Sequence, residues 1–329
     1  MIEQKFQNID KIFSISSEVE FEKMAIEVFN FQYLNNSVYK QYCDYLSIDR
    51  SKISKISEIP FLPISFFKTH HVSCGDAKTS EKMFSSSGTT GMITSSHYVK
   101  DIEIYEQSFI KGFEYFYGNV DDYIVLGLLP SYLEREGSSL IYMVDKLIEL
   151  SNNSHSGFFL DDYEGLLKII AEHKSTKKII LLGVSYALLD LVEKYNPDLS
   201  SCIIMETGGM KGKRKEIPKN ELHSILKTGL NVNEIHSEYG MTELLSQAYA
   251  LKEGKFKLPK WMKVLTREYN DPFTYTTKKS GGLNIIDLAN VYSCSFIATQ
   301  DLGKIHSDYF EVLGRFDNSD IRGCNLLVQ

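Results

Sequence analysis

The sequence predicts an α/β protein with largely parallel strands, and three observations carry that class. Strand-like runs recur along the chain, at Tyr123 to Leu129, Lys178 to Val184, Ser201 to Met205, Asn233 to Ser237, Gly282 to Leu288 and Cys294 to Thr299. Helical patterns lie between several of them, as at Leu166 to His173 and Tyr186 to Lys194, and such alternation builds parallel sheets. The last two runs are separated only by Ala289 to Ser293, which points to a small antiparallel or barrel-like subdomain near the end.

The first element is a helix. Ser17 and Glu20 have capping-box spacing, and Phe21, Met24, Ala25, Val28 and Phe29 then recur on one face. Downstream, Pro60 and Pro63 interrupt ISEIPFLPISFFKTHHV, so an extended or turning connection over a surface is expected there. No internal repeat, low-complexity tract or linker is visible. At 329 residues the chain exceeds the usual single core, so it reads as one large α/β unit or a few subdomains. The expected organisation is one module, with a helical and extended region at 1–80, a core at 81–316 and a tail at 317–329.

Composition removes several classes. The balance of 43% apolar and 24% charged residues is that of a globular protein. A net charge of −7 without a basic stripe argues against nucleic acid or anionic membranes as partners. The short cluster Lys211, Lys213, Arg214 and Lys215 fits either a solvated or a phosphate-facing turn. The 5 cysteines, Cys43, Cys74, Cys202, Cys294 and Cys324, form no C-x-x-C pair and are odd in number, which suggests reduced thiols. Neither a signal-peptide pattern nor a run of about 20 apolar residues occurs, so a cytoplasmic protein is expected.

The strongest local signal is Phe84-Ser85-Ser86-Ser87-Gly88-Thr89-Thr90-Gly91. A tight loop of this composition exposes N–H groups and short hydroxyls that cradle polyphosphate oxygens. It is not a Walker loop, because Met92 stands where the lysine is needed. Taken alone, it also fits a plain surface loop. A second signal, Ser237-Glu238-Tyr239-Gly240-Met241-Thr242-Glu243, follows a predicted strand. Its aromatic can stack on a purine, its hydroxyl can touch an α-phosphate, and its carboxylate can hold Mg²⁺. Third comes Thr299-Gln300-Asp301-Leu302-Gly303, where a strand-end aspartate suits ribose hydroxyls. Gly314-Arg315-Phe316-Asp317 follows. Singly, Asp301 also reads as a turn residue, Glu243 as a helix-terminal charge and Arg315 as a surface cation.

In order and spacing, these motifs resemble the adenylate-forming superfamily of acyl-CoA synthetases, luciferases and peptide-synthetase adenylation domains. SSSGTTG matches the phosphate loop, YGMTE the adenine and magnesium motif, TQDLG the ribose motif and GRFD the hinge, over about 230 residues. The strings IPFLPISFFK, LPSYLEREGSSL, LLGVSYALLDL, METGGMKGKRKE and RGCNLLVQ further resemble the acyl-protein synthetase family. That family comprises the fatty-acid ligase subunits of bacterial fatty-acid reductase complexes.

The resemblance implies the adenylate-forming large-domain fold, with layered sheets, flanking helices and a small barrel-like subdomain. Only 12 residues follow Asp317, so the mobile C-terminal domain of the wider superfamily and its lysine are expected to be absent. ATP and Mg²⁺ are the implied cofactors. Ser85, Ser86, Ser87, Gly88, Thr89, Thr90 and Gly91 would hold the β- and γ-phosphates, Thr242 the α-phosphate and Glu243 the metal. Tyr239 would stack on adenine beside Gly240 and Met241, Asp301 and Arg315 would hold ribose, and Gly208 and Gly209 would flank the adenine and acyl pocket. Tyr132 falls where relatives carry a gate.

The resemblance also makes Cys324 the acyl acceptor, with a partner acyl reductase or acyl-carrier or transferase protein beyond it. A tail from Asp317 to Cys324 spans roughly 23–25 Å when extended, so reach permits this. An ordinary packed thiol remains the alternative for Cys324. An acyl- or aryl-CoA ligase and a non-catalytic nucleotide-binding subunit remain alternatives for the protein. The 8 histidines support no hydrolase, since neither G-x-S-x-G nor HExxH occurs. His236, just before the YGMTE motif, reads as structural, with a contact to the nucleotide as the alternative.

Overall fold

The structure is a computed structural model that describes residues 5–86, 93–130, 137–160, 162–208, 214, 215, 217–268, 271, 273–275 and 280–316. Helix α1 (Ile9–Ile12) leads into α2 (Glu18–Asn35), which opens on the predicted capping box. Ser17 Oγ accepts from Glu20 N at 3.3 Å, and the Glu20 carboxylate accepts from Ser17 N at 3.2 Å. The face of Phe21, Met24, Ala25, Val28 and Phe29 is buried. Asn36 then caps α3 (Ser37–Tyr45), accepting from Tyr39 N at 3.0 Å.

The proline-bearing segment is extended where Pro60 and Pro63 require it, but it does not run over a surface. Strand β1 (Leu62–Pro63) pairs in parallel with Ile297 and Ala298, and α4 (Phe66–Thr69) adds one helical turn. Ile59, Phe61, Leu62 and Phe67 are buried, because so apolar a stretch is stable only against the core. The hairpin β2 (Lys82–Ser85) and β3 (Ser96–Val99) pairs Ser85 with Ser96.

An alternating series follows: α5 (Ile102–Tyr117), β4 (Tyr123–Leu128), α6 (Ser139–Leu150), β5 (Gly157–Phe158), α7 (Tyr163–His173), β6 (Lys178–Val184), α8 (Ser185–Tyr195), β7 (Cys202–Thr207), α9 (Lys219–Leu230) and β8 (His236–Tyr239). Strands β4, β6, β7 and β8 are parallel neighbours in that order, with β5 beside β4. Strand β4 is buried along its whole length and β6 beyond Lys178, as expected of parallel strands covered on both faces.

The expected antiparallel portion is made by β9 (Ala248–Ala250), β10 (Phe256–Lys257), β11 (Met262–Arg267), β12 (Ser280–Asp287), β13 (Phe296–Ile305) and β14 (Phe310–Arg315). It is hydrogen-bonded into the same sheet, in the order β8-β9-β10-β14-β13-β12-β11. Strand β13 runs on to Ile305, so Asp301 lies within a strand rather than at the end of one. Two parallel strands also outrun their predicted ends: β7 continues through Glu206 and Thr207, and β8 through Glu238 and Tyr239. These polar residues stand at the carboxyl ends of parallel strands, where open α/β sheets form their ligand crevices.

The N-terminal helix is tied to the far end of the chain. Gln32 Nε2 donates to Asn290 O and Val291 O, each at 3.0 Å, and Gln32 Oε1 accepts from Ser295 N at 3.0 Å. Asn36 Nδ2 donates to Ser293 O at 2.9 Å. Replacing Gln32 by Leu leaves these buried groups unpaired and should cost about 1–3 kcal/mol, read as a lower denaturation midpoint in urea. A midpoint equal to that of the wild type would show the bonds to be dispensable.

Candidate active site

A cavity of about 1640 Å³ opens at the carboxyl ends of β7 and β8. On one wall, Tyr239 Oη donates to Asp301 Oδ2 at 2.7 Å, and Arg315 Nε lies 3.3 Å from Asp301 Oδ1. The pairing of β13 with β14 sets Asp301 directly opposite Arg315. Arg315 is 72% exposed and Asp301 only 10%, so the cation covers the rim while the carboxylate sits inside. Burial and the Asp301 charge push the Tyr239 phenol well above its ordinary range, which keeps it a donor. Three predicted residues, distant in sequence, are thus brought into one hydrogen-bonded chain.

The backbone beyond β8 is clamped from behind. His97 Nδ1 donates to Thr242 O at 2.7 Å, and Asn290 Nδ2 donates to Glu243 O at 2.8 Å. His97 Nε2 meets Asn290 Oδ1 at 3.0 Å. Asp287, fully buried, accepts from Leu245 N at 2.8 Å, Ser246 N at 2.9 Å and Ser246 Oγ at 2.6 Å. Burial draws the His97 imidazole down to about 4, against the two hydrogen bonds, and pushes the Asp287 carboxyl up. The clamp fixes Thr242 and Glu243 at the cavity wall. Burial also pushes the Glu243 carboxyl up, with Ser95, Arg315 and Lys68 acting the other way.

Among the described residues no group of three or more His, Cys, Asp or Glu is placed to hold a metal. Glu243 alone still suits Mg²⁺, which keeps several waters and binds through one or two carboxylates together with substrate phosphates. A cation would also offset the cost of burying this carboxylate.

Of the remaining predicted residues, Ser85, Ser86, Gly208, Gly240 and Met241 line the cavity. Ser86 Oγ accepts from Ser95 N at 2.9 Å, and Ser85 N donates to Gly137 O at 2.8 Å. Gly208 has φ of +70°, a conformation that favours glycine. Ser87, Gly88, Thr89, Thr90, Gly91, Tyr132, Gly209 and Cys324 lie outside the described residues. Of the basic cluster, Arg214 pairs with Asp190 and with Glu193 on α8, the latter at 2.6 Å. His236 meets the Tyr117 hydroxyl at 3.1 Å.

The sequence reading missed a charged group on the same cavity. Lys219 Nζ donates to Glu206 Oε1 at 2.6 Å, and His223 Nε2 lies 3.5 Å from the same oxygen. Burial alone would raise the Glu206 carboxyl, but Lys219, His223 and Ser237 overcome it and hold it down at about 2. The available signal was a carboxylate ending the apolar run CIIMET. Thr207 Oγ1 likewise donates to Glu238 Oε2 at 2.5 Å.

A parallel sheet that turns antiparallel, with these residues around its carboxyl-end cavity, is the large-domain fold of the adenylate-forming enzymes. The ATP-bound structure of MatB from Rhodopseudomonas palustris superposes with a TM-score of 0.56 at 16% identity, covering 74% of this chain. This chain covers 49% of MatB, about half its length. 2-Hydroxyisobutyryl-CoA ligase in its postadenylation state, with 2-HIB-AMP, gives 0.67 at 10% identity, over 91% of this chain and 68% of that one.

The chain belongs to the acyl-protein synthetase family, whose model (Acyl-protein synthetase, LuxE) matches residues 13–329. It is 24% identical to the long-chain-fatty-acid–luciferin-component ligase of Aliivibrio fischeri over 337 residues, 93% of this chain and 86% of the relative. The ligase of the same name from Vibrio harveyi is 24% identical over 324 residues, 91% of this chain and 84% of that one. The protein is therefore a ligase of the acyl-protein synthetase type. Among the described residues no helix is long and apolar enough to cross a membrane.

Two expectations follow from this geometry. Replacing Asp287 by Asn removes the charge that gathers the Leu245 and Ser246 amides, and ligase turnover should fall by at least about tenfold; unchanged turnover would separate the clamp from the site. Glu206 is held below its ordinary value of 4.5, so its contribution to stability is present above that pH and is lost as pH falls toward about 2. Urea unfolding of Glu206→Gln should show a flatter dependence on pH across that window. An unchanged slope would exclude the pairing.

Proposed function

We propose that the enzyme uses ATP to convert a fatty acid to its acyl-AMP and then passes the acyl group to the thiol of Cys324. The observation that carries the first step is the Tyr239–Asp301–Arg315 chain beside the clamped Thr242 and Glu243. A base stacks on Tyr239, and the carboxylate of Asp301 receives ribose hydroxyls near the Arg315 cation. The Tyr239 hydroxyl holds Asp301 through Oδ2, so the ribose meets Oδ1 beside Arg315.

With the nucleoside so placed, the α-phosphate falls to Thr242 and the β- and γ-phosphates to Ser85–Gly91. An oxygen of the acid attacks the α-phosphorus, the bond to the bridging oxygen breaks, and pyrophosphate leaves. The protein's contribution is to position two anions and offset their charge. Glu243 would hold Mg²⁺, which supplies positive charge to the phosphate oxygens. Gly208 and Gly209 let adenine and acyl group approach the backbone. The Cys324 thiolate then attacks the acyl carbon, forming a thioester and releasing AMP. From the thioester the group passes to a partner acyl reductase or acyltransferase.

Intact mass after incubation with ATP, Mg²⁺ and mixed fatty acids, beside Cys324→Ser, tests both steps. An acyl-sized gain that hydroxylamine removes, absent from the variant, is expected. Pyrophosphate release by both proteins without an adduct would keep adenylation and discard Cys324. Coenzyme A-dependent AMP release would then identify the acceptor instead.

A further inference from the structure

The two faces of β8 divide the cavity. Successive side chains of a strand point to opposite sides, so Ser237 and Tyr239 share one face and Glu238 takes the other. Ser237 Oγ lies 3.3 Å from His223 Nε2 of α9, which places the first face toward α9. Glu238 stands opposite Tyr249, whose ring packs on Phe116 and Tyr117 of α5 at 5.3 and 5.6 Å between centroids. A base stacked on Tyr239 therefore takes the α9 side, where the cross-strand neighbour is the small Ala248. The α5 side is left to the acid.

That side is polar where the acid must enter. Glu238 is 9% and Gln247 6% exposed, and both line the cavity. They crowd the same glycine: a methyl group at Gly240 would run into Glu238 Oε1 and touch Gln247 Cγ at 3.4 Å. Thr207 supplies one donor to Glu238 Oε2. Gln247 Oε1 is buried with no hydrogen-bond partner among the described residues. A buried acceptor of that kind calls for a donor. An unsubstituted hydrocarbon chain would set methylene groups against a carboxylate and an amide.

We infer that the acid this enzyme activates carries a hydrogen-bond donor, a hydroxyl or an ammonium group, near its carboxyl end, received by Glu238 and Gln247. The donor lies near the carboxyl end because Gly240, on which both acceptors pack, is two residues from Thr242 and the α-phosphate. This inference rests on the adenylating reading and narrows its substrate class.

Pyrophosphate release measured with acids of matched chain length, unsubstituted or carrying a β-hydroxyl or β-amino group, tests it. The substituted acid should show kcat/KM at least about tenfold above the plain one, because a site built around acceptors rejects analogues lacking the donor. That ratio should collapse toward one in Glu238→Leu and in Gln247→Leu. Glu238→Gln keeps the shape and the acceptor without the charge, so it should retain a hydroxyl preference and lose an ammonium preference. It also serves if the leucine variants fail to fold. Equal turnover of plain and substituted acids by the wild type would overturn the inference and leave adenylation standing. Release with no acid at any chain length would overturn the adenylating reading and this inference with it.

Discussion

The site depends on one turn, Asp287 to Asn290, at the end of β12. Its carboxylate gathers the amides of Leu245 and Ser246, and its asparagine side chain holds Glu243 O and Cys294 O. From the opposite side Gln32 grips the turn's own carbonyl. The N-terminal helix, the antiparallel strands and the loop bearing Thr242 and Glu243 therefore meet in one buried network. Such networks hold a single geometry when every member is satisfied. The same network explains why a 3-10 turn between two antiparallel strands can govern a loop that follows a parallel one.

The switch from parallel to antiparallel pairing at β8 and β9 does the remaining positioning. On the parallel side, β7 and β8 end together and project Glu206, Thr207, Glu238 and Tyr239 into the cavity. On the antiparallel side, β13 and β14 return Asp301 and Arg315 to the same rim. Lys219 reaches in from the first turn of α9 to neutralise Glu206, while its ammonium also lies 4.7 Å from the Phe256 ring centre. A charged group is thereby held beside an aromatic wall without being left unpaired.

Much of this was legible in the sequence, and the limits have a physical cause. The capping box of α2, the apolar runs of β4 and β6 and the YGMTE and TQDLG motifs are local patterns, set by periodicity or by a short contiguous string. His97 and Asn290 are not local. They meet across 193 residues, and His97 reaches Thr242 across 145, so no window of sequence joins them. Glu206 is hidden at the end of the apolar run CIIM, and Glu238 follows the mixed stretch NEIHS, so both strands read two residues too short. The proline-rich segment was placed outside because Pro60 and Pro63 exclude a helix; they do not exclude burial, and β1 lies against β13.

The alternation of β8 carries a consequence for how two substrates share one cavity. Nucleotide and acid must meet at a single phosphorus, yet each needs a wall of its own chemistry. A strand supplies this without added structure, since Tyr239 and Glu238 are consecutive residues facing opposite ways. On the proposed reading Gly240 removes a side chain from the face the acid takes, and the clamp fixes Thr242 two residues further on. Residues for both substrates are, on that reading, tied to one stretch of rigid backbone, so a displacement of β8 would move both together. Residues placed on separate loops would lack that coupling.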